Sequence, residues 1–506
     1  MNRLPVNRLP MNRLPVSPRP VSSRAPAVAA PTDEPVLIVG MGAVFGVSTE
    51  EVRTLLDLAL DQVGIEASTV AAIATVDSKA REPALVELAA SLGVPLVAHP
   101  AAALAGVAVP HPSAVVEAAV ATPSVAEAAA LLGVPGWPAH PAAAVELLAG
   151  KTASPRATVA IARHWLADLH HHGDAELGTG LLDFAVNVST EPLPDWLGEA
   201  ITAACGQLGR YPDARPAIAA AAARHRRPAE EVLLTSGAAE AFTLLAQGLP
   251  VGRAAILYPQ FTEPEVALRA AGWRVERVLT GPDDGWALHT DRIPDPVSLV
   301  VVGNPTNPTG VLHSKQALLA LRRPGRLVVV DEAFADSVAG EPESLAEHDD
   351  LTGLVVVRSL TKTWGLAGLR IGYLLGDAGA IAAAAAVQPH WSVSGPALAA
   401  AEACLADAAQ PEAQRRAAAV TAHRQALVAA LVQRGFEVSA DGVGPFVLVR
   451  HTRRPNLHAE LRELGIAVRR ADTFPGLGPA WVRIAVREPA ATEPLLAALD
   501  LLAGRR

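Results

Sequence analysis

Lysine is nearly missing from this chain: four residues, Lys79, Lys151, Lys315 and Lys362, stand against thirty-eight arginines. Where arginine fills almost every positive position, a retained lysine points to chemistry that a guanidinium cannot do. Arginine is never deprotonated and cannot condense with an aldehyde, whereas a lysine amine can. Cysteine is scarcer still, with Cys205 and Cys404 alone; this excludes a disulfide framework or a cysteine metal cluster and suits the cytoplasm. The run His170-His171-His172 has no cysteine or carboxylate at metal-ligand spacing and reads as linker, so no metal is expected. There is no surplus of positive charge: the formal net charge is −9, which gives no electrostatic ground for binding nucleic acid. No uninterrupted apolar run is long enough to cross a membrane, the alanine-rich stretch 378–387 included. Gly40-Met41-Gly42 follows a strand-like run but lacks the third glycine of a dinucleotide fingerprint, and no acidic residue closes a second strand.

What the chain does have is a series of apolar strands, each running into polar groups. Val355-Val356-Val357-Arg358-Ser359-Leu360 leads into a loop that sets Lys362 three residues after Ser359 and Arg370 eight residues after Lys362. A serine and an arginine so placed can hold a phosphate while the amine holds a ring, the pattern of pyridoxal-phosphate chemistry. Val300-Val301-Val302-Gly303 runs into Asn304-Pro305-Thr306-Asn307-Pro308-Thr309-Gly310, a turn fixed by prolines. Leu327-Val328-Val329-Val330 ends on Asp331. Val232-Leu233-Leu234-Thr235 passes through Ser236-Gly237-Ala238-Ala239-Glu240 into an apolar helix, whose N-terminus is offered to an anion. Groups just past the carboxyl ends of parallel strands are where open α/β sheets build their sites.

From about residue 170 to the end, the order and spacing of these motifs resemble the fold-type I pyridoxal-phosphate enzymes of the aspartate aminotransferase superfamily. The resemblance implies pyridoxal 5'-phosphate as cofactor and a role for each matching residue. Lys362 condenses with the cofactor aldehyde and moves protons at the substrate Cα, and Asp331 pairs with the pyridinium nitrogen; these two are the catalytic pair. Asn307 bonds the ring's phenolic oxygen. Ser359, Arg370 and the backbone of Gly237, Ala238 and Ala239 hold the phosphate. Phe261, in Tyr258-Pro259-Gln260-Phe261, stacks on the ring. Tyr211, in Arg210-Tyr211-Pro212-Asp213, reaches across a subunit interface to the phosphate, which implies a homodimer with shared active sites. Glu240 reads as a helix N-terminal charge rather than a catalytic group.

The C-terminal piece bears on the reaction. Arg469, in Gly465-Ile466-Ala467-Val468-Arg469-Arg470, and Arg483, in Trp481-Val482-Arg483-Ile484-Ala485-Val486-Arg487, read as lying on adjacent strands. Such a pair suits a small substrate carrying both a carboxylate and a phosphate, since guanidinium binds either bidentately. Arg470 and Arg487 read as solvated edge residues. Histidinol-phosphate aminotransferases and the threonine-phosphate decarboxylases of cobalamin biosynthesis share the arrangement. Similarity to the decarboxylases is carried by Phe334 in Asp331-Glu332-Ala333-Phe334, by Phe474-Pro475-Gly476-Leu477, by Arg487, and by His172-Gly173-Asp174 followed by Asp183-Phe184-Ala185-Val186-Asn187. That resemblance places Asn187 near the substrate, although the usual Asn-Pro-Leu-Gly continuation is here Val188-Ser189-Thr190-Glu191-Pro192. A histidinol-phosphate-type aminotransferase is the alternative, and a non-catalytic corrinoid-binding scaffold the second.

The first third is a different object. Residues 1–33 repeat Asn-Arg-Leu-Pro three times and continue rich in proline, serine and alanine, which reads as a disordered, low-complexity tail. An α/β pattern then begins at Pro35-Val36-Leu37-Ile38-Val39, continues through an amphipathic stretch at 50–60, and adds strand-like runs at 70–76 and 158–163. With Ala74-Thr75-Val76-Asp77-Ser78-Lys79-Ala80-Arg81-Glu82 and Thr122-Pro123-Ser124-Val125-Ala126-Glu127, it resembles the C-terminal domain of the cobalt-precorrin 5A hydrolase family. That family follows its second glycine with basic residues where this chain has Ala43-Val44-Phe45-Gly46, which puts catalysis by this part in doubt. The expected architecture is therefore α/β throughout. A small α/β domain at 34–164 and a linker at 165–180 precede a fold-type I enzyme at 181–506. The enzyme's large domain, about 206–395, carries a mostly parallel seven-stranded sheet; its small α/β domain is drawn from 181–205 and 396–506.

Overall fold

The structure is a computed structural model that describes residues 36–133, 145–164, 169–439, 442–451, 454, 456–478 and 480–504. The tail expected at 1–33 lies outside the described residues. Three sheets organise the rest.

In the first sheet, Val36–Ala43 lies at the centre, parallel to Val70–Val76 and antiparallel to Ala157–His164, with Leu96–His99 and Val145–Ala153 at the edges. Helices Thr49–Val63 and Pro83–Leu92 cover one face through Leu55, Leu56, Leu85 and Leu88. Val125–Leu132 covers the other and crosses so close that a Cβ at Gly40 would stand 1.9 Å from the Ala126 carbonyl oxygen. Only glycine permits that approach.

The second sheet has seven strands in the order Val232–Thr235, Gly372–Gly376, Leu354–Ser359, Leu327–Asp331, Leu299–Gly303, Arg253–Tyr258, Arg274–Leu279. All run parallel except Gly372–Gly376, which is antiparallel to both neighbours. Helices Gly237–Gly248 and Ala378–Val387 pack on one face, and Arg215–Arg224 and Gly395–Leu405 on the other. Burial on both faces is why these strands read as unbroken valine runs. Each fully buried valine contributes about 1.5–3 kcal/mol relative to exposure. Helix starts are fixed locally: the Asp377 carboxylate accepts from the N–H groups of Gly379 (2.9 Å) and Ala380 (3.1 Å), capping Ala378–Val387.

The third sheet orders Glu437–Val438, Phe446–Arg450, Trp481–Ala485, Ile466–Arg470 and Leu182–Phe184. The last strand comes from far upstream and joins in parallel, so the segment around residue 182 is built into the C-terminal sheet. The stretch read as a linker is described from Leu169 onward, and there it is docked rather than free. Buried Glu176 accepts from His171 (2.8 Å), His458 (2.7 Å) and the Arg470 N–H (3.1 Å), and His172 bonds Glu263 at 2.6 Å. Of the three histidines read as linker, His171 and His172 hold carboxylates. Among the described residues no helix is long and apolar enough to cross a membrane.

Candidate active site

The carboxyl ends of the parallel strands converge on one place. Asp331 closes its strand, in register with Gly303 on one side and Val357 on the other. Its carboxylate accepts from the Ala333 N–H at 3.0 Å. Burial pushes the Asp331 carboxyl up to about 6, while the Ala333 bond and the Lys362 charge pull the other way. Lys362 lies on the loop after Leu354–Ser359, and its carbonyl accepts from the Ser189 N–H at 2.9 Å. Its ammonium sits 5.8 Å from the centre of the Phe334 ring, which packs edge-on against Phe446. Desolvation, reinforced by Arg483 and Arg370, lowers the Lys362 amine to about 8, and Asp331 opposes the shift. Near neutrality a useful fraction is therefore the free amine, the form that condenses with an aldehyde.

An anion cradle lies beside it. Ser359 Oγ is 2.8 Å from Thr361 Oγ1 and accepts from the Thr361 N–H at 3.3 Å. Arg370 has φ 55°, a left-handed backbone rare outside glycine and concentrated at functional sites. Its guanidinium lies against Gly237, where an added Cβ would stand 2.8 Å from Arg370 Nη2. Gly237 opens the helix Gly237–Gly248 at φ 80°, and the first N–H groups of a helix have no partner within it. Those of Gly237, Ala238 and Ala239 are the first of this helix. The Glu240 carboxylate turns back to accept from the Ser236 N–H (2.5 Å), so it braces the helix start, as its helix-charge reading implied.

A second group sits where the third sheet meets this loop cluster. Arg483 is buried; it donates to Asn307 Oδ1 at 2.6 Å and to the Ala185 carbonyl at 2.5 Å. With its amide oxygen turned toward the guanidinium, Asn187 accepts from Arg483 Nε (3.2 Å) and Nη1 (3.0 Å). Among the described residues the hydrogen-bond partners of Arg483 are all uncharged, and burial and neighbouring Arg469 make its charge costly. A buried cation held only by neutral groups is complementary to an incoming anion.

Arg469 is in register with Arg483, as its spacing implied, and its guanidinium donates to the carbonyls of His171 (2.6 Å) and Arg470 (2.7 Å), stands 3.8 Å from the buried Glu176 carboxylate and packs on the face of Phe474. Arg487, read as a solvated edge residue, is buried and donates to the carbonyls of Val186 (2.8 Å), Asp183 (3.3 Å) and Val188 (3.3 Å). Arg470, read likewise, is half-buried against Asp472. The Phe261 ring packs against that of His172 with centres 5.4 Å apart. Tyr211 stands apart: it is 79% exposed and stacked on Trp391 with ring centres 4.3 Å apart.

The donors present suit pyridoxal phosphate: an amine partly free at neutral pH, a buried carboxylate, and a cradle so tight that a methyl group would enter it.

Comparison with known proteins agrees. Residues 176–499 match the aminotransferase class I and II family, and residues 37–162 match the family described as cobalamin synthesis G C-terminus. The chain is 49% identical over 325 residues to a histidinol-phosphate aminotransferase of Mycobacterium tuberculosis, covering 64% of this chain and 88% of that protein. It is 32% identical over 332 residues to the threonine-phosphate decarboxylase of Salmonella typhimurium, covering 63% and 90% respectively. Among solved structures, histidinol-phosphate aminotransferase from Clostridium acetobutylicum superposes with a TM-score of 0.60 at 25% identity, over 64% of this chain and all of that one. L-threonine-O-3-phosphate decarboxylase from Porphyromonas gingivalis gives 0.55 at 26%, over 63% and 99%. With its fold, its lysine loop and its family match in agreement, the chain belongs to the class I and II aminotransferase family of pyridoxal-phosphate-dependent enzymes.

Proposed function

We propose that the chain decarboxylates O-phospho-L-threonine to (R)-1-amino-2-propanol O-2-phosphate and carbon dioxide, as a step of cobalamin biosynthesis. The observation that carries this choice is the partnership within one chain: an aminotransferase-family enzyme follows a segment that matches a cobalamin-synthesis family. Threonine-phosphate decarboxylases at 32% and 36% identity support it, and so does Phe334, an apolar ring where the aminotransferases carry a tyrosine. The division into a domain at 34–164 and an enzyme at 181–506 is part of this reading.

Bound pyridoxal phosphate supplies an electron sink for the pair left on Cα when the bond to the carboxylate breaks. Lys362 would tether the cofactor and, once displaced by the substrate amine, deliver a proton to Cα in place of the lost carboxylate. Asp331 holds the pyridine nitrogen in its protonated form, and Asn307, whose amide oxygen Arg483 occupies, offers its NH2 to the ring oxygen. Ser359, Arg370 and the N–H groups of Gly237, Ala238 and Ala239 bind the cofactor phosphate, and Phe261 covers the ring. Arg483 binds the substrate carboxylate until it leaves as carbon dioxide. Asn187 orients that guanidinium, and Arg469 strengthens the local field. Tyr211 completes the site of a second copy in a cytoplasmic homodimer. What the residues 34–164 bind is left outside this reaction.

The second reading, a histidinol-phosphate aminotransferase, is favoured by the 49% identity to a protein of that name. One assay separates them. Carbon dioxide and aminopropanol phosphate formed from phosphothreonine without added keto acid, and abolished by Lys362→Ala, support the decarboxylase. Amino transfer from histidinol phosphate to 2-oxoglutarate, with no carbon dioxide from phosphothreonine, overturns it in favour of the aminotransferase. A protein that takes up no cofactor sinks both and leaves the scaffold.

A further inference from the structure

We propose that Arg487 is a positioning residue for substrate binding: it clamps the 183–188 strap so that Asn187 is held against Arg483. This rests on the reading of Arg483 as the group that takes the substrate carboxylate. Arg487 stands two residues beyond the strand Trp481–Ala485, which carries Arg483. Its guanidinium reaches three carbonyls of one short segment, those of Asp183, Val186 and Val188, while the Asp183 carboxylate, 3.7 Å away, accepts from the N–H groups of Ala185 (2.8 Å) and Val186 (2.9 Å). The strap is thus tied at both ends and in the middle. Between those ties Ala185 presents its carbonyl, and Asn187 its amide, to Arg483.

The geometry divides two jobs between two arginines. Arg483 faces neutral acceptors that a carboxylate can replace or join, whereas Arg487 directs four hydrogen bonds to backbone carbonyls, those of Asp183, Val186, Val188 and Val486. An arginine suits the second job because its planar fork supplies several fixed donors at once; lysine offers only a point charge and methionine none. Loss of the fork leaves three carbonyls seeking partners and frees the strap, and Arg483 then loses the amide that fixes its orientation. Substrate affinity suffers before cofactor chemistry does, because Asp331, Lys362 and the phosphate cradle are all on other segments.

The test compares Arg487→Met, Arg487→Lys, Asn187→Ala and the Met/Ala double variant in the full-length protein loaded with cofactor. Arg487→Met keeps the length of the buried stem. The expected results are an absorbance spectrum like that of the wild type, faster amide hydrogen exchange confined to 183–188, and a KM for phosphothreonine raised about tenfold or more with a smaller change in kcat. Arg487→Lys should recover only part of the loss. The double variant should be no worse than Arg487→Met alone, because Asn187 is already misplaced. Unchanged exchange and KM overturn the clamp. So does a fall in thermal stability and kcat together with an unaltered KM, which marks a merely structural residue. If the wild type turns over neither phosphothreonine nor histidinol phosphate, the proposed reaction fails, while strap exchange still judges Arg487 for or against.

Discussion

The Arg483 guanidinium donates a 2.6 Å hydrogen bond to the amide oxygen of Asn307, tying the C-terminal sheet to the loop that follows Leu299–Gly303. One bond thus joins the residue proposed for the substrate carboxylate to the residue proposed for the cofactor ring. Arg483→Lys should raise the KM for phosphothreonine by about tenfold to a hundredfold, the cost of losing a charge-assisted bidentate contact. Asn307→Ala should disturb both the substrate KM and the cofactor absorbance. Steady-state kinetics with parallel spectra check the pair.

Lys362 carries a pH signature. Its amine is lowered to about 8, so it is mostly ammonium at pH 6 and mostly free amine at pH 9. The rate of cofactor capture by the apoprotein should therefore rise through a midpoint near pH 8. Arg483→Met removes one of the cations that lower it and should move that midpoint upward. Stopped-flow absorbance after mixing with pyridoxal phosphate reads both.

Asp331 should show a trade of stability for function. Its carboxyl titrates near 3.8 when exposed and is raised to about 6 in the folded chain. A raised acid binds its proton more tightly when folded, so its contribution to stability falls as pH climbs through that interval, and the whole penalty is present above it. Asp331→Asn should stabilise the apoprotein at pH 8 by about 3 kcal/mol while cutting turnover by orders of magnitude. The stability difference should shrink below pH 4; calorimetry across pH tests it.

Gly237→Ala places a methyl group at φ 80° and 2.8 Å from Arg370 Nη2. Both the backbone strain and the displaced guanidinium weaken the cradle, so cofactor affinity should fall about tenfold or more. Fluorescence titration of the apoprotein measures the change.

Tyr211 offers a test of shared sites. If it serves the neighbouring copy, Tyr211→Ala and Lys362→Ala chains, each inactive alone, should regain about a quarter of wild-type activity when mixed and reassembled, since one site in the mixed dimer then has both groups. Mixtures that stay dead contradict the shared site.

The central sheet was legible because strands buried on both faces leave continuous valine runs, and Asp331, which ends such a run, and Lys362, on the loop after another, were singled out for that placement. Position along the chain cannot show what a long polar side chain finds across the fold. Arg487 looked like a solvated edge because its acceptors, the carbonyls of Asp183, Val186 and Val188, are remote in sequence. His171 and His172 looked like spacer for the same reason, their partners being Glu176 and Glu263. Arg469 was found at the right register beside Arg483, yet its donors go to backbone carbonyls, which spacing alone does not reveal.

The reversed strand Gly372–Gly376 lies between Val232–Thr235 and Leu354–Ser359, and a Cβ at Gly372 would reach within 3.1 Å of the Ala238 nitrogen. The two halves of the phosphate cradle, Gly237 to Ala239 on one side and Ser359 with Arg370 on the other, become neighbours only once that strand has zipped between them. Long-range pairings of this kind form late, after the cost of closing large loops. Cofactor capture should therefore report the last stage of folding, and each bound cofactor should act as a latch whose binding energy is felt by the whole sheet.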